Sequence, residues 1–130
     1  METGIIKLDP TLMTIFANGG GLGMPVPFQH EIFVLNVNVA GTTYCDDIDD
    51  ITPSLREGTL LKLRRDTDNE ADDFAIGIYW EDTRIGWVPM DDNLVIARLM
   101  DAGKLFSCKV VKVKRLGTWT KINVSIYMVD

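Results

Sequence analysis

A single histidine, His30, and three serines, Ser54, Ser107 and Ser125, leave the chain short of the usual parts of a hydrolytic centre. His30 stands outside any HxxxH or HExxH spacing, and none of the serines falls in a nucleophile elbow. The two cysteines, Cys45 and Cys108, are far apart, which excludes a disulfide framework and a CxxC metal knuckle and points to a reducing, cytoplasmic compartment. Cys45 precedes four acids within five residues, a setting that disfavours the thiolate, and Cys108 reads as a small inward-facing hydrophobe. No apolar run approaches the roughly 20 residues that cross a bilayer, and no h-region leads to a cleavage site. Neither a membrane span nor a secretory leader is expected. Gly19-Gly20-Gly21-Leu22-Gly23 lacks the following Gly-Lys-Ser/Thr of a phosphate loop and reads as a connector. Enzymatic activity and a bound cofactor are not expected.

What the chain does contain is the composition of one compact domain: 130 residues, 46% hydrophobic and 25% charged. Its net charge of −6 argues against indiscriminate binding along a phosphate backbone. The charge is unevenly spread. Ten of the 19 acids lie in residues 46–73, whereas residues 102–129 hold six Lys/Arg and no acid. Such a molecule can take an anion on its basic flank.

Two regions differ in pattern. Residues 1–31 read as an extension: Asp9-Pro10 caps a short helix that ends at Asn18-Gly19, and a Gly/Pro-rich loop follows. Residues 32–130 read as the folded domain. Strands are predicted over residues 32–39 and 59–65, with one helical turn over 52–58. Phe74, Ile76, Ile78 and Trp80 alternate with Ala75, Gly77 and Tyr79, and a polar turn at 81–83 leads to a partner strand at 84–88. A helix starting at Asp91 or Asp92 carries the stripe Val95, Ile96, Leu99, Met100, with Gly103 as its C′ residue. Phe106, Cys108 and Val110 point one way along the next strand and Val111 and Val113 the other. That slip predicts a β-bulge or a sharp bend. Leu116-Gly117-Thr118 turns into a last alternating strand through Met128. The fold class is therefore mainly β: a small, closed OB-like or SH3-like barrel of five to six strands with one or two short helices.

The acidic stretch 66–73 fails as a calcium loop, because Ala71 falls where the sharp turn needs glycine and Gly77 where it needs glutamate. A solvated connection, with Asp and Asn side chains bonding nearby amides, is the expected structure, and no metal site is assigned.

Three blocks in order carry a resemblance. Arg65-Asp66-Thr67-Asp68-Asn69-Glu70-Ala71-Asp72-Asp73-Phe74-Ala75-Ile76 resembles the pattern R-x-P-x-N-x-x-D-x-x-A-(I/V). Gly86-Trp87-Val88-Pro89 is similar to G-(Y/F/H)-(V/I/L)-P, and Val39-Ala40-Gly41-Thr42-Thr43-Tyr44 resembles V-x-G-x-x-Y. Together they resemble the HIRAN domain, free-standing or joined to remodelling ATPases and nucleases. The resemblance implies an OB-like barrel that captures the 3′ end of single-stranded DNA. By it, Tyr44 is the stacking aromatic, Asp72 the carboxylate that accepts from a free 3′-hydroxyl, and Trp87 a further π-face. Arg65 is the motif arginine, which touches DNA or braces its loop. Trp119 falls where the family places another aromatic, and Lys112 and Lys114 around it are expected to contact phosphates. Thr43 and Ala71 stand where the family's DNA-binding examples have an arginine and an aromatic. A partner ATPase or nuclease on another chain is the implied source of catalysis. The alternative reading is a protein-interaction module on the same barrel, docking through residues 46–50 and the extension.

Overall fold

The computed structural model describes residues 30–129. The helix expected over residues 9–18 and the glycine-rich loop lie outside them. Among the described residues six strands follow one another: β1 (Glu31–Asn38), β2 (Leu60–Arg65), β3 (Ile76–Trp80), β4 (Thr83–Trp87), β5 (Leu105–Leu116) and β6 (Trp119–Val129). Two short helices, α1 (Ile48–Ile51) and α2 (Leu94–Asp101), interrupt them. All pairings are antiparallel, and the spatial order is β1-β6-β5-β2-β3-β4. The mainly-β class with six strands and two short helices is as expected.

Closure is where the expectation is met only in part. The outer strands β1 and β4 share no ladder, so the sheet is not a closed barrel. A single bridge joins the chain just past β1 to the end of β4: Ala40 and Trp87 exchange both backbone hydrogen bonds, each at 2.8 Å. Gly86 permits this approach, since a Cβ there would lie well inside contact distance of the Ala40 carbonyl oxygen and Val39 Cγ1.

The core fills the space the strongly curved sheet encloses. Ile76, Ile78, Ile85, Ile96, Ile122 and Ile126 are fully buried, with Val39, Val88, Val110, Val124 and Cys108 beside them. Each buried isoleucine contributes about 1.5–3 kcal/mol relative to exposure. The core-facing residues of β6, Ile122, Val124 and Ile126, follow the period of two read from the sequence.

Bulges let the strands bend around this core. On β5 the register shifts between Val110 and Lys112, where the apolar phase slips. Val111 is extruded to the surface, and Val113 returns to pack on the core. Further shifts occur between Phe33 and Leu35 and opposite Ile78/Tyr79. Neither was predicted.

Helix α2 ends as read: Gly103 takes φ 96°, and its amide and that of Lys104 donate to the carbonyls of Met100 and Leu99, both at 2.9 Å. A 3-10 turn at Met90–Asp92 precedes it, so the α-helix begins later than Asp91. The helical turn predicted over residues 52–58 is the 3-10 segment Thr52–Ser54, and α1 before it is an addition. Ile51 and Leu55 from this region are buried.

Two measurements check this packing. Gly86→Ala is expected to cost about 1–3 kcal/mol in urea unfolding, because the new Cβ overpacks against backbone that cannot move aside. Burial pushes the Cys108 thiol up to about 12. It stays protonated in the fold while the unfolded chain ionises near 9.0, so stability is full below that value and falls as pH rises towards 12. Cys108→Ala is expected to flatten that alkaline loss.

Candidate functional site

One cleft of about 560 Å³ opens beside the Ala40–Trp87 bridge. Three separate stretches build it: Ala40, Gly41 and Tyr44 past β1; Asn69, Ala71, Asp72 and Ala75 from the loop between β2 and β3; and Trp87, Val88 and Met90 at the end of β4. The lining is mostly apolar, and Asp72 is its one charged side chain.

Local geometry explains how these residues come together. Gly41 takes φ 75°, and a Cβ there would meet the Trp87 ring at 2.8 and 2.9 Å. The turn can therefore close only under the indole and only on glycine. The 3-10 segment Thr42–Tyr44 follows, held from below by the buried Thr42 hydroxyl, which donates to the Thr120 carbonyl at 2.9 Å. This leaves Tyr44 80% exposed at the rim.

The loop from Asp66 to Asp73 is a chain of side-chain turns. Asn69 Oδ1 accepts from the amides of Ala71 (2.9 Å) and Asp72 (3.1 Å). Asp72 Oδ1 accepts from the Phe74 amide at 2.9 Å, and its Oδ2 accepts from Asn93 Nδ2 at 2.7 Å. Asn93 is only 2% exposed, so the carboxylate is its partner within the fold. A carboxylate offers about four lone-pair positions, which leaves Asp72 acceptor capacity towards the cleft. Asp66 faces elsewhere: its Oδ2 takes bonds from Asn69 Nδ2 (3.3 Å) and Trp87 Nε1 (3.4 Å) and lies 3.8 Å from Arg84 Nη1. The acids of this loop do not converge, and among the described residues no group of three potential metal ligands forms.

The proposed site residues divide accordingly. Tyr44, Asp72 and Trp87 share the cleft. Arg65 does not line it. Its guanidinium donates to the carbonyls of Ala75 (2.6 Å) and Asp73 (3.1 Å) and pairs with Asp101 at 2.9 Å, with the side chain only 14% exposed. Bracing is the role this geometry gives it. Trp119 begins β6 at the hairpin tip, next to the residue that holds Thr42, but outside the cleft lining. Lys112 and Lys114 join Lys121 and Asn123 in a separate groove of about 140 Å³. Two other basic residues of β5 are engaged: Lys109 pairs with Glu31 at 2.6 Å, and Arg115 pairs with Asp49.

Sequence reasoning missed Asn93, Met90 and Arg84. Asn93 falls inside the helix expected from Asp91 or Asp92, yet it is the N-cap of α2, and its side chain serves Asp72 rather than its own helix. Arg84 stacks on the Trp87 ring, 4.5 Å from guanidinium carbon to centroid, which a spacing of three along an alternating strand does not announce.

A small antiparallel β domain with one apolar cleft, floored by a fixed carboxylate and walled by two aromatics, is the class this geometry defines. The HIRAN domain matches residues 32–129, and the chain belongs to that family. A crystal structure of a Lactobacillus plantarum protein is similar in fold, with a TM-score of 0.71 at 24% identity over 78% of this chain and 98% of that one. The crystal structure of the HIRAN domain of human HLTF aligns with a TM-score of 0.62 at 16% identity, over 78% of each chain. No curated protein matches this sequence.

Because Asn93 and Asp72 satisfy one another, Asn93→Ala is expected to cost about 1–3 kcal/mol, the range for disrupting a buried hydrogen bond to a charged group. Urea unfolding of the variant against the unaltered chain checks it.

Proposed function

We infer that this domain captures the 3′ end of single-stranded DNA without catalysing a reaction on it. The observation that carries the reading is the convergence of Tyr44, Trp87 and Asp72 on one cleft, with the carboxylate fixed by the Phe74 amide and Asn93. The exposed Tyr44 ring stacks on a base whatever its identity, with Trp87 as the wall beside it, and a carboxylate accepts from a terminal hydroxyl that no mid-strand nucleotide possesses. It also repels a terminal phosphate. Strand ends are thereby told from interiors and from phosphorylated ends.

The near-closed, OB-like sheet suits this task by exposing one face as a platform for an extended strand. Lys112 and Lys114 add favourable charge for phosphates further along the strand, and Trp119 at the hairpin tip adds another ring. Ala71 leaves the cleft roomy and withholds one stacking surface, each of which is worth about 1–3 kcal/mol per base. Binding by this chain is accordingly modest, and it serves a partner ATPase or nuclease on another chain, in the processing or repair of DNA in the cytoplasm.

Fluorescence anisotropy tests the reading with a short oligonucleotide ending in 3′-OH and the same one ending in 3′-phosphate. The hydroxyl form is expected to bind about tenfold tighter, the scale of one charge-assisted hydrogen bond. Asp72→Ala, checked for folding by circular dichroism, is expected to erase the preference. Lys112→Ala is expected to weaken both forms alike and to lower the salt dependence. Equal or absent binding by the unaltered chain would instead favour a protein-interaction module.

A further inference from the structure

Among the described residues, the cleft presents no cation. Its one charged side chain is the Asp72 carboxylate, so a strand end seated there has its own phosphates unmatched by anything in the lining. A second, smaller groove of about 140 Å³ adjoins it. The two share Gly41, Tyr44 and Trp87, and the second adds Arg84 and Cys45.

Arg84 is presented there in an unusual way. Its guanidinium lies over the Trp87 ring at 4.5 Å, with its side chain 42% exposed. Asp66 approaches only to 3.8 Å, close enough to orient the group and too far for a hydrogen bond. Among the described residues nothing accepts a hydrogen bond from it. A stacked guanidinium keeps its edge donors free, and their fork geometry matches two phosphate oxygens. Trp87 is itself pinned by Gly41 beneath it and by Asp66 at its indole nitrogen, so the stacked arginine is held in place before any ligand arrives.

We propose that Arg84 and the groove beside it form a phosphodiester subsite, which takes the backbone linkage entering the cleft over the Tyr44 rim. The proposal rests on the strand-end reading above and adds a named anion-binding group to it. Trp87 then serves both parts of the ligand: it walls the cleft that takes the terminal nucleotide, and its face supports the cation that holds the neighbouring phosphate.

The test pairs a variant with a chemically neutralised strand. Binding of hexathymidylate ending in 3′-OH is measured for the full chain and for Arg84→Gln. A second hexamer carries uncharged methylphosphonates at the two linkages nearest its 3′ end. Arg84→Gln is expected to weaken the natural hexamer about tenfold and to leave the neutral-linkage hexamer unchanged. The preference for 3′-OH over 3′-phosphate is expected to persist in the variant, which separates this subsite from the Asp72 contact. Saturation with the natural hexamer is also expected to slow alkylation of Cys45, whose thiol burial already holds above its ordinary value. Equal weakening of both hexamers would assign Arg84 to support of the indole alone and overturn the proposal. An unaffected variant or unchanged Cys45 alkylation would overturn it as well, with the 3′-OH preference left standing. Failure of any hexamer to bind would remove both readings.

Discussion

The cleft depends on two backbones crossing closer than side chains would allow. Ala40 and Trp87 exchange hydrogen bonds because Gly86 presents no Cβ to Val39 and Ala40, and because Gly41 can turn under the indole. The bridge brings Tyr44 within reach of Trp87 and leaves the β2–β3 loop as the third wall. Two motif blocks that look unrelated in sequence are therefore two halves of one contact. Their glycines are steric requirements of that contact, and their aromatics are its product.

The third wall is stiffened without a hydrophobic core of its own. Asn69 and Asp72 close successive turns by accepting backbone amides, while Arg65 ties the same loop to Asp101 from outside. Polar groups thus do for this loop what buried isoleucines do for the sheet. The arrangement leaves the cleft side free: Arg65 spends its donors on carbonyls and Asp101, and Asp66 turns to Trp87 and Arg84. What remains facing the cavity is a single anionic group among apolar surfaces.

Much of the fold was legible because local rules and burial agree. The phase slip at Val110-Val111 announced a bulge, since an alternating strand can change its buried face only by extruding a residue. The αL glycine after α2 announced its end. Where the apolar residues run on without alternation, as from Ile32 to Leu35, there was no phase to slip, and the second bulge left no trace. Helix α1 was hidden by the acids around Ile48 and Ile51, whose spacing with Leu55 was the only sign of a buried face. In the site, Tyr44, Asp72 and Trp87 could be read from motif blocks. Asn93 and Arg84 could not, because their roles arise from contacts with residues 21 and 3 positions away in chain number and are fixed by the tertiary arrangement. The hairpin likewise directs Lys112 and Lys114 to a groove apart from the cleft, a separation that only the tertiary arrangement reveals.

The Ala40–Trp87 bridge also has a bearing on how the molecule comes into being. Neighbouring strands such as β5 and β6 join across a two-residue turn, and such local ladders nucleate rapidly. The bridge unites chain segments that must close a loop of more than forty residues, a late and entropically costly event. Half-formed chains therefore hold their hairpins before they hold a cleft, and a transient opening at this crossing dismantles the cavity while most of the sheet endures. The cavity is in this sense a property of the finished topology, which no single hairpin carries alone.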